Sequence, residues 1–281
     1  MRTKNIFSVY LLLFLVIHFS YAQNKYEFSQ PPEGFDKYQE EISHGKVDTI
    51  SYKSTTVGIH REALVYLPPS YSSKKSYPVL YLLHGIGGDQ YEWVHNGNAT
   101  AILDNLYASN KLIPMIVVFP NGRAMKNDKA VGDIFSKDKV TAFSVFEDDL
   151  LKDLIPYIEN NYTVTPKKDY RAIAGLSMGG GQAFNFGFNN LKEFAWIGGF
   201  SAAPNTKTPE ELLPNPAVAE RNLNLIWISC GDKDDLLIYS KRTHTYLEKY
   251  EIPHIYYIEP GVHDFKVWKN DLYHFSQLLF K

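Results

Sequence analysis

Arg171-Ala172-Ile173-Ala174-Gly175-Leu176-Ser177-Met178-Gly179 carries the G-x-S-x-G pattern between an apolar run and a helix-compatible one. A short Gly/Ser pattern alone says little. In a strand–turn–helix setting it describes a nucleophile elbow, a turn so tight that the central serine is strained. Side chains at 175 or 179 would collide with neighbouring backbone, which explains the glycines. The helix opening at Met178 points free N–H groups and its positive dipole end at the serine. Ser177 is the candidate nucleophile.

Working outward, strand-like runs precede and follow this turn. Val47–Val57 and Glu62–Leu67 come first, the second ended by Pro68-Pro69. Val79–Leu83 and Met115–Phe119 are apolar throughout, as in strands covered on both faces. Tyr170–Gly175, Phe194–Ile197, Leu225–Ser229 and His254–Ile258 complete the set. Helices are expected over Thr100–Ser109, Val145–Asn160, Met178–Asn189, Ile238–Tyr250 and Val267–Leu279. The first strands lack helices between them and should pair antiparallel; the later β-α-β alternation requires parallel pairing. The expected fold is α/β, of the α/β-hydrolase plan: a mostly parallel central sheet with antiparallel N-terminal strands and helices on both faces. Two long segments, Asn121–Ala142 and Ser201–Asn224, follow parallel strands at the end where ligands bind. They are expected to wall the pocket.

A serine nucleophile needs an oxyanion hole, a base and an acid. The N–H of Met178 is one expected donor. The other comes from His84-Gly85-Ile86-Gly87-Gly88, with Ile86 assigned and Gly87 as fallback. His84 reads as the residue that holds this loop by hydrogen bonds rather than as a base. The chain order Ser, acid, His places the acid after Leu225–Cys230, in Gly231-Asp232-Lys233-Asp234-Asp235. The G-x-x-D spacing selects Asp234, with Asp235 the alternative. The base is His263, on the loop Gly261-Val262-His263-Asp264 after the last strand.

Composition narrows the partners. Arg2 and Lys4, the apolar run Ile6–Phe19 and the small-x-small site Ser20-Tyr21-Ala22 form a secretory signal peptide over residues 1–22. The run is shorter than the ~20 residues of a spanning helix. Secretion or periplasmic export, with no membrane attachment after cleavage, is expected, and residues 23–281 read as a single domain. Without Arg2 and Lys4 the chain has 27 basic and 31 acidic residues, a net charge of −4. That gives no support for nucleic acid or an anionic membrane as partner. Cys230 is the lone cysteine, so no intrachain disulfide forms, and it reads as a small core residue. There is no H-E-x-x-H and no cysteine pair at zinc spacing. Glu147, Asp148, Asp149 and Asp153 read as acids at a helix start rather than a cation site. No metal or cofactor is expected.

Tyr81-Leu82-Leu83-His84-Gly85-Ile86-Gly87-Gly88, Ala174–Gln182, Ser201-Ala202-Ala203-Pro204-Asn205 and His263-Asp264-Phe265-Lys266-Val267-Trp268 together resemble the feruloyl esterase modules of bacterial xylanases, in carbohydrate esterase family 1 of the esterase D group. The resemblance spans about residues 45–280. It implies cleavage of the ester joining ferulate to arabinose side chains of plant xylan, with Ser177, Asp234 and His263 as the triad. The partner implied is a feruloylated cell-wall polysaccharide or oligosaccharide. The extra acids Asp232 and Asp235 depart from the family's acid loop. The group also holds acetyl-xylan esterases, siderophore esterases and S-formylglutathione hydrolases, which shared catalytic residues do not separate. Gly87, Trp93, Asn205 and Trp268 are the candidate substrate-binding residues. Trp93 and Trp268, with Phe135 and Phe143, lie where they could stack on a phenolic ring.

Overall fold

A computed structural model describes residues 28–281. The signal peptide read over residues 1–22 lies outside the described residues. Eight strands form one sheet: β1 (Lys46–Ser54), β2 (Ile59–Leu67), β3 (Val79–Leu83), β4 (Ile116–Pro120), β5 (Arg171–Leu176), β6 (Trp196–Phe200), β7 (Leu225–Gly231) and β8 (Ile255–Glu259). Their order is β1-β2-β4-β3-β5-β6-β7-β8. β1–β2 and β2–β4 pair antiparallel, and every pair from β4–β3 to β7–β8 is parallel. This is the α/β-hydrolase fold. Connection length decides the pairing: a four-residue link reverses β1 into β2, whereas parallel strands need crossovers.

The first strand ends earlier than its alternation suggests. Thr55–Gly58 is a turn with Gly58 at φ +79°, and Ser54 Oγ accepts from Val57 N at 2.9 Å. Tyr170 belongs to a short 3₁₀ turn before β5 rather than to the strand.

The helices are α1 (Glu92–His95), α2 (Ala99–Ala108), α3 (Lys137–Asp149), α4 (Ile155–Asn161), α5 (Met178–Asn189), α6 (Pro209–Leu212), α7 (Ala217–Asn222), α8 (Leu237–Lys249) and α9 (Phe265–Leu278). They cover both faces of the sheet. One core packs Phe146, Ile158, Phe184 and Leu247 from α3, α4, α5 and α8 against Val65, Leu83 and Ile228. The other packs Ile102 and Leu106 of α2 and Leu272 and Phe275 of α9 against Leu82, Ala174 and Trp227.

Three expectations need correction here. The helix expected from Val145 begins at Lys137, so the excursion after β4 is loop only to residue 136. A π-helical turn, Leu150–Leu154, then joins α3 to α4. Glu147, Asp148, Asp149 and Asp153 therefore lie inside a continuous helical run, and the helix-start reading fails. Specific donors hold three of them instead. Buried Asp149 pairs with buried Arg61 and accepts from Tyr52 OH at 2.6 Å. Asp153 accepts from Thr55 Oγ1 and Thr56 Oγ1 at 2.6 and 2.7 Å. Glu147 accepts from Asn190 Nδ2 at 2.7 Å. These bonds fasten the β1–β2 ribbon and α5 to the helical run. Ser201–Asn224, expected as a long loop, carries the short helices α6 and α7, and a Thr208–Glu211 capping box starts α6.

Candidate active site

Ser177 sits between β5 and α5 at φ +53°, ψ −118°. A side chain would not fit on either flank. A Cβ at Gly175 would lie 2.6 Å from the backbone of Gly179, and one at Gly179 would lie 2.6 Å from the carbonyl oxygens of Leu83 and His84. The strained turn is locked from both sides. Ser177 N donates to Phe200 O at 2.9 Å, and Ser177 O accepts from Gly181 N at 3.0 Å and Ala203 N at 3.1 Å.

Three side chains from three loops form one hydrogen-bonded line. Ser177 Oγ lies 2.9 Å from His263 Nε2, and His263 Nδ1 lies 2.8 Å from Asp234 Oδ2. With Nδ1–H donating to the carboxylate, Nε2 is free to accept the serine proton. Asp234 Oδ1 accepts from Leu236 N at 2.8 Å. Burial alone would raise the Asp234 carboxyl. Hydrogen bonds from His263 and Leu236 N outweigh it and hold the group below the ordinary carboxylate range. Its two neighbours are elsewhere. Asp235 is exposed, and Asp232 accepts from Gly261 N at 2.9 Å. Asp232 thus ties the acid loop to the histidine loop without touching His263. Asp264 caps α9 by accepting from Lys266 N and Val267 N, fixing the far end of the histidine loop.

The loop Gly85–Gly88 folds against the nucleophile. A Cβ on Gly85 would stand 3.5 Å from Ser177 Cβ. Gly88 N donates to Gly85 O at 3.2 Å, so the N–H groups of the central Ile86 and Gly87 take no part in the turn's own bond. Met178 opens α5, and its N–H has no helical acceptor.

His84 is buried and holds this loop. Gly122 N donates to His84 Nε2 at 2.8 Å, so Nδ1 carries the proton and donates to Gly85 O at 2.6 Å. The candidate substrate residues divide. Trp93 must be corrected: it is 1% exposed, its Nε1 donates to Leu83 O at 2.9 Å, and it packs edge-on to Phe200 and Phe265. It is a core residue beneath the site. Asn205 is likewise committed to the scaffold, since its Nδ2 donates to Met178 O at 2.9 Å. Trp268 is buried with its ring edge-on to His263, centroids 4.9 Å apart, and braces the imidazole. Phe143 is buried and Phe135 is 69% exposed. Gly87 is exposed on the loop. The segment after β4 walls an open groove of about 650 Å³ lined by Ala124, Met125, Ala142 and Val145 among others, which Ser177 does not line.

A family model described as "Putative esterase" matches residues 54–277. The chain belongs to the esterase family. It is 33% identical to an endo-1,4-beta-xylanase/feruloyl esterase of Xylanibacter ruminicola over 260 residues, which cover 91% of this chain and 34% of that protein. An esterase of Mycobacterium tuberculosis is 30% identical over 168 residues, 57% of this chain and 32% of that protein. The chain thus spans about a third of the length of these curated relatives. Among solved structures, a CE1 ferulic acid esterase of Anaeromyces mucronatus in complex with ferulic acid superposes with a TM-score of 0.79 at 25% identity, covering 91% of this chain and 98% of that one. A feruloyl esterase module of Clostridium thermocellum complexed with sinapinate shares the fold, with a TM-score of 0.73 at 18% identity over 92% and 96% of the two chains.

Within this esterase, three supports of the loop went unread in the sequence. Arg123 donates to the carbonyl of Ile86. Glu92 accepts from Gly85 N at 2.7 Å, and burial raises its carboxyl. Gln182 bridges the carbonyls of Gly122 and Phe143 at 2.9 and 2.7 Å. Arg123 and Glu92 belong to no motif, and Gln182 only ends the run Ala174–Gln182; the role of each is recognised by where its side chain ends.

The buried His84 also gives the esterase a measurable pH dependence. Desolvation lowers its imidazole from 6.5 to about 4. Between those values the unfolded chain takes up a proton that the native site refuses. Stability therefore falls as pH drops from about 6.5 towards 4, by up to about 3 kcal/mol from this residue. His274, also lowered to about 4 by burial, acts in the same direction. Urea unfolding at pH 7 and at pH 4.5 checks this; equal stabilities would contradict it.

Proposed function

We propose that this esterase is an exported feruloyl esterase that releases ferulate from arabinoxylan side chains through an acyl-enzyme on Ser177. The observation that carries the reading is the Ser177–His263–Asp234 line, in a chain 33% identical over 91% of its length to a xylanase/feruloyl esterase. Ser177 Oγ attacks the ester carbonyl while His263 Nε2 takes its proton. The N–H groups of Met178 and Ile86 are assigned to the tetrahedral oxyanion. His263 then returns the proton to the departing sugar hydroxyl, and water repeats the cycle to release the acid. Asp234 keeps the imidazole in the Nδ1–H tautomer and stabilises its charged form.

The surroundings of the serine support an apolar acyl group. Buried Phe143, Met178 and Ala203 form a small cluster of their own, with Ile86, Val140 and Leu236 half-buried against it. The residue after the nucleophile, the oxyanion loop and the acid loop thus each contribute an apolar side chain to one patch. The partly exposed Ile86, Val140 and Leu236 give a cinnamoyl body more apolar surface to cover than an acetyl group would reach. Export rests on the apolar run Ile6–Phe19 and the cleavage pattern at Ser20-Tyr21-Ala22.

The test compares methyl ferulate with p-nitrophenyl acetate as substrates of the purified chain. Ready hydrolysis of both is expected. Hydrolysis of the acetate alone would overturn the feruloyl reading and move acetylated xylan forward as substrate.

A further inference from the structure

Arg123 lies in the segment after β4 and is fully buried, a costly place for a permanent cation. The other buried arginines meet that cost with carboxylates: Arg61 pairs with Asp149, and Arg171 with Glu159 and Glu193. Arg123 gives its terminal nitrogens to main-chain carbonyls instead. Nη1 donates to Asp128 O at 2.8 Å and Nη2 donates to Ile86 O. Its guanidinium carbon lies 5.1 Å from the centroid of the Phe143 ring. A buried guanidinium directed at two carbonyls of two loops is holding backbone in place.

The base of this clamp is firmly set. Arg61 Nη2 donates to Asn121 O and Arg123 O at 2.7 and 3.0 Å. Gln182 Nε2 donates to Gly122 O at 2.9 Å, and Gly122 N donates to His84 Nε2 at 2.8 Å. The far end is not set by packing. Gly87 is exposed, and a Cβ there would meet nothing within 4 Å. No neighbour therefore stops the Ile86–Gly87 peptide from turning over. Hydrogen bonds must do it. Gly85 O is held by His84 Nδ1 at 2.6 Å and by Gly88 N at 3.2 Å. Among the described residues, Ile86 O is held by Arg123. In a trans peptide the carbonyl and the following N–H point opposite ways. Fixing Gly85 O thus aims Ile86 N–H, and fixing Ile86 O aims Gly87 N–H.

We propose that Arg123 is a positioning residue for the oxyanion loop: its guanidinium commits the Ile86 carbonyl, so that the loop presents N–H groups and no carbonyl dipole to the developing oxyanion. The proposal rests on the reading of Ser177 as the acylated nucleophile.

Arg123→Ala and Arg123→Lys test it on methyl ferulate. Misaiming one oxyanion donor costs about 100-fold in kcat, and Arg123→Ala is expected to lose that much with KM changed by no more than a few-fold. Lysine keeps the charge but lacks the planar fork that spans two carbonyls, so Arg123→Lys is expected to lose about 10-fold or more. Guanidinium ion added to Arg123→Ala should restore part of kcat, and sodium chloride at the same ionic strength none. A boronic acid that forms a tetrahedral adduct on the serine should bind Arg123→Ala more weakly by about the factor lost in kcat, while ferulate itself binds as it does to the parent. Full kcat in either variant would overturn the proposal, as would a loss confined to KM or an unchanged boronic acid affinity. Failure of both variants to fold, seen by circular dichroism, would also overturn it, since Arg123 would then be a support of the fold. Ser177→Ala measured alongside separates the two readings: undiminished turnover there would mean that the acyl-enzyme reading itself had failed.

Discussion

Ser177→Ala is expected to lower kcat roughly a million-fold, with substrate binding largely kept. His263→Ala is expected to cost about as much, and the double variant little more. The reason lies in the line of hydrogen bonds. Ser177 Oγ and His263 Nε2 stand 2.9 Å apart, so the nucleophile and its base act as one unit. Removing either leaves only the oxyanion donors and binding, the residual part of such catalysis. The elbow backbone has no need of the hydroxyl: Ser177 is held through Phe200 O, Gly181 N and Ala203 N. The alanine variant should therefore fold as the parent does. Steady-state kinetics on methyl ferulate, with circular dichroism as the folding control, check this. Losses that multiplied in the double variant would contradict a shared mechanism.

Asp234→Asn is expected to cost about ten-thousand-fold in kcat, while Asp235→Asn changes it by no more than a few-fold. The asparagine amide would offer a donor where His263 Nδ1–H needs an acceptor. The imidazole would then settle in the wrong tautomer, with its Nε2 lone pair lost to the serine. Asp235 is exposed and makes no contact with His263. Part of the Asp234 effect should return above neutral pH, where hydroxide can replace the base. A pH profile of both variants on one ester tests the pair. Equal losses would mean that the acid loop rearranges in solution to present either carboxylate.

The sheet was legible because its strands carry their own signals. Val79–Leu83 and Met115–Phe119 are apolar at every position, which only a doubly covered strand tolerates. The elbow was legible because its glycines are sterically compulsory, and the acid and base loops because chain order and spacing single them out. The start of α3 was not. Lys137-Asp138-Lys139 has no apolar face of its own, and the helix forms there because Val140 and Phe143 pack towards Met178. Trp93 misled for a related reason. Proximity in sequence to the oxyanion loop placed it near the site, but its ring points beneath the loop into the core. Nor could sequence alone reveal His84's partner: Gly122 comes from another strand's end. Motifs report the backbone geometry that chemistry demands. Side-chain destinations inside a packed interior depend on neighbours distant in the chain.

The most direct test of the central claim is to trap the acyl-enzyme. The purified chain is mixed with methyl ferulate, quenched in acid during turnover, digested and mapped by mass spectrometry. One feruloyl group on the peptide carrying Ser177, absent from Ser177→Ala, is the expected result. Turnover of the ester with the adduct on another residue, or undiminished turnover by Ser177→Ala, would contradict it.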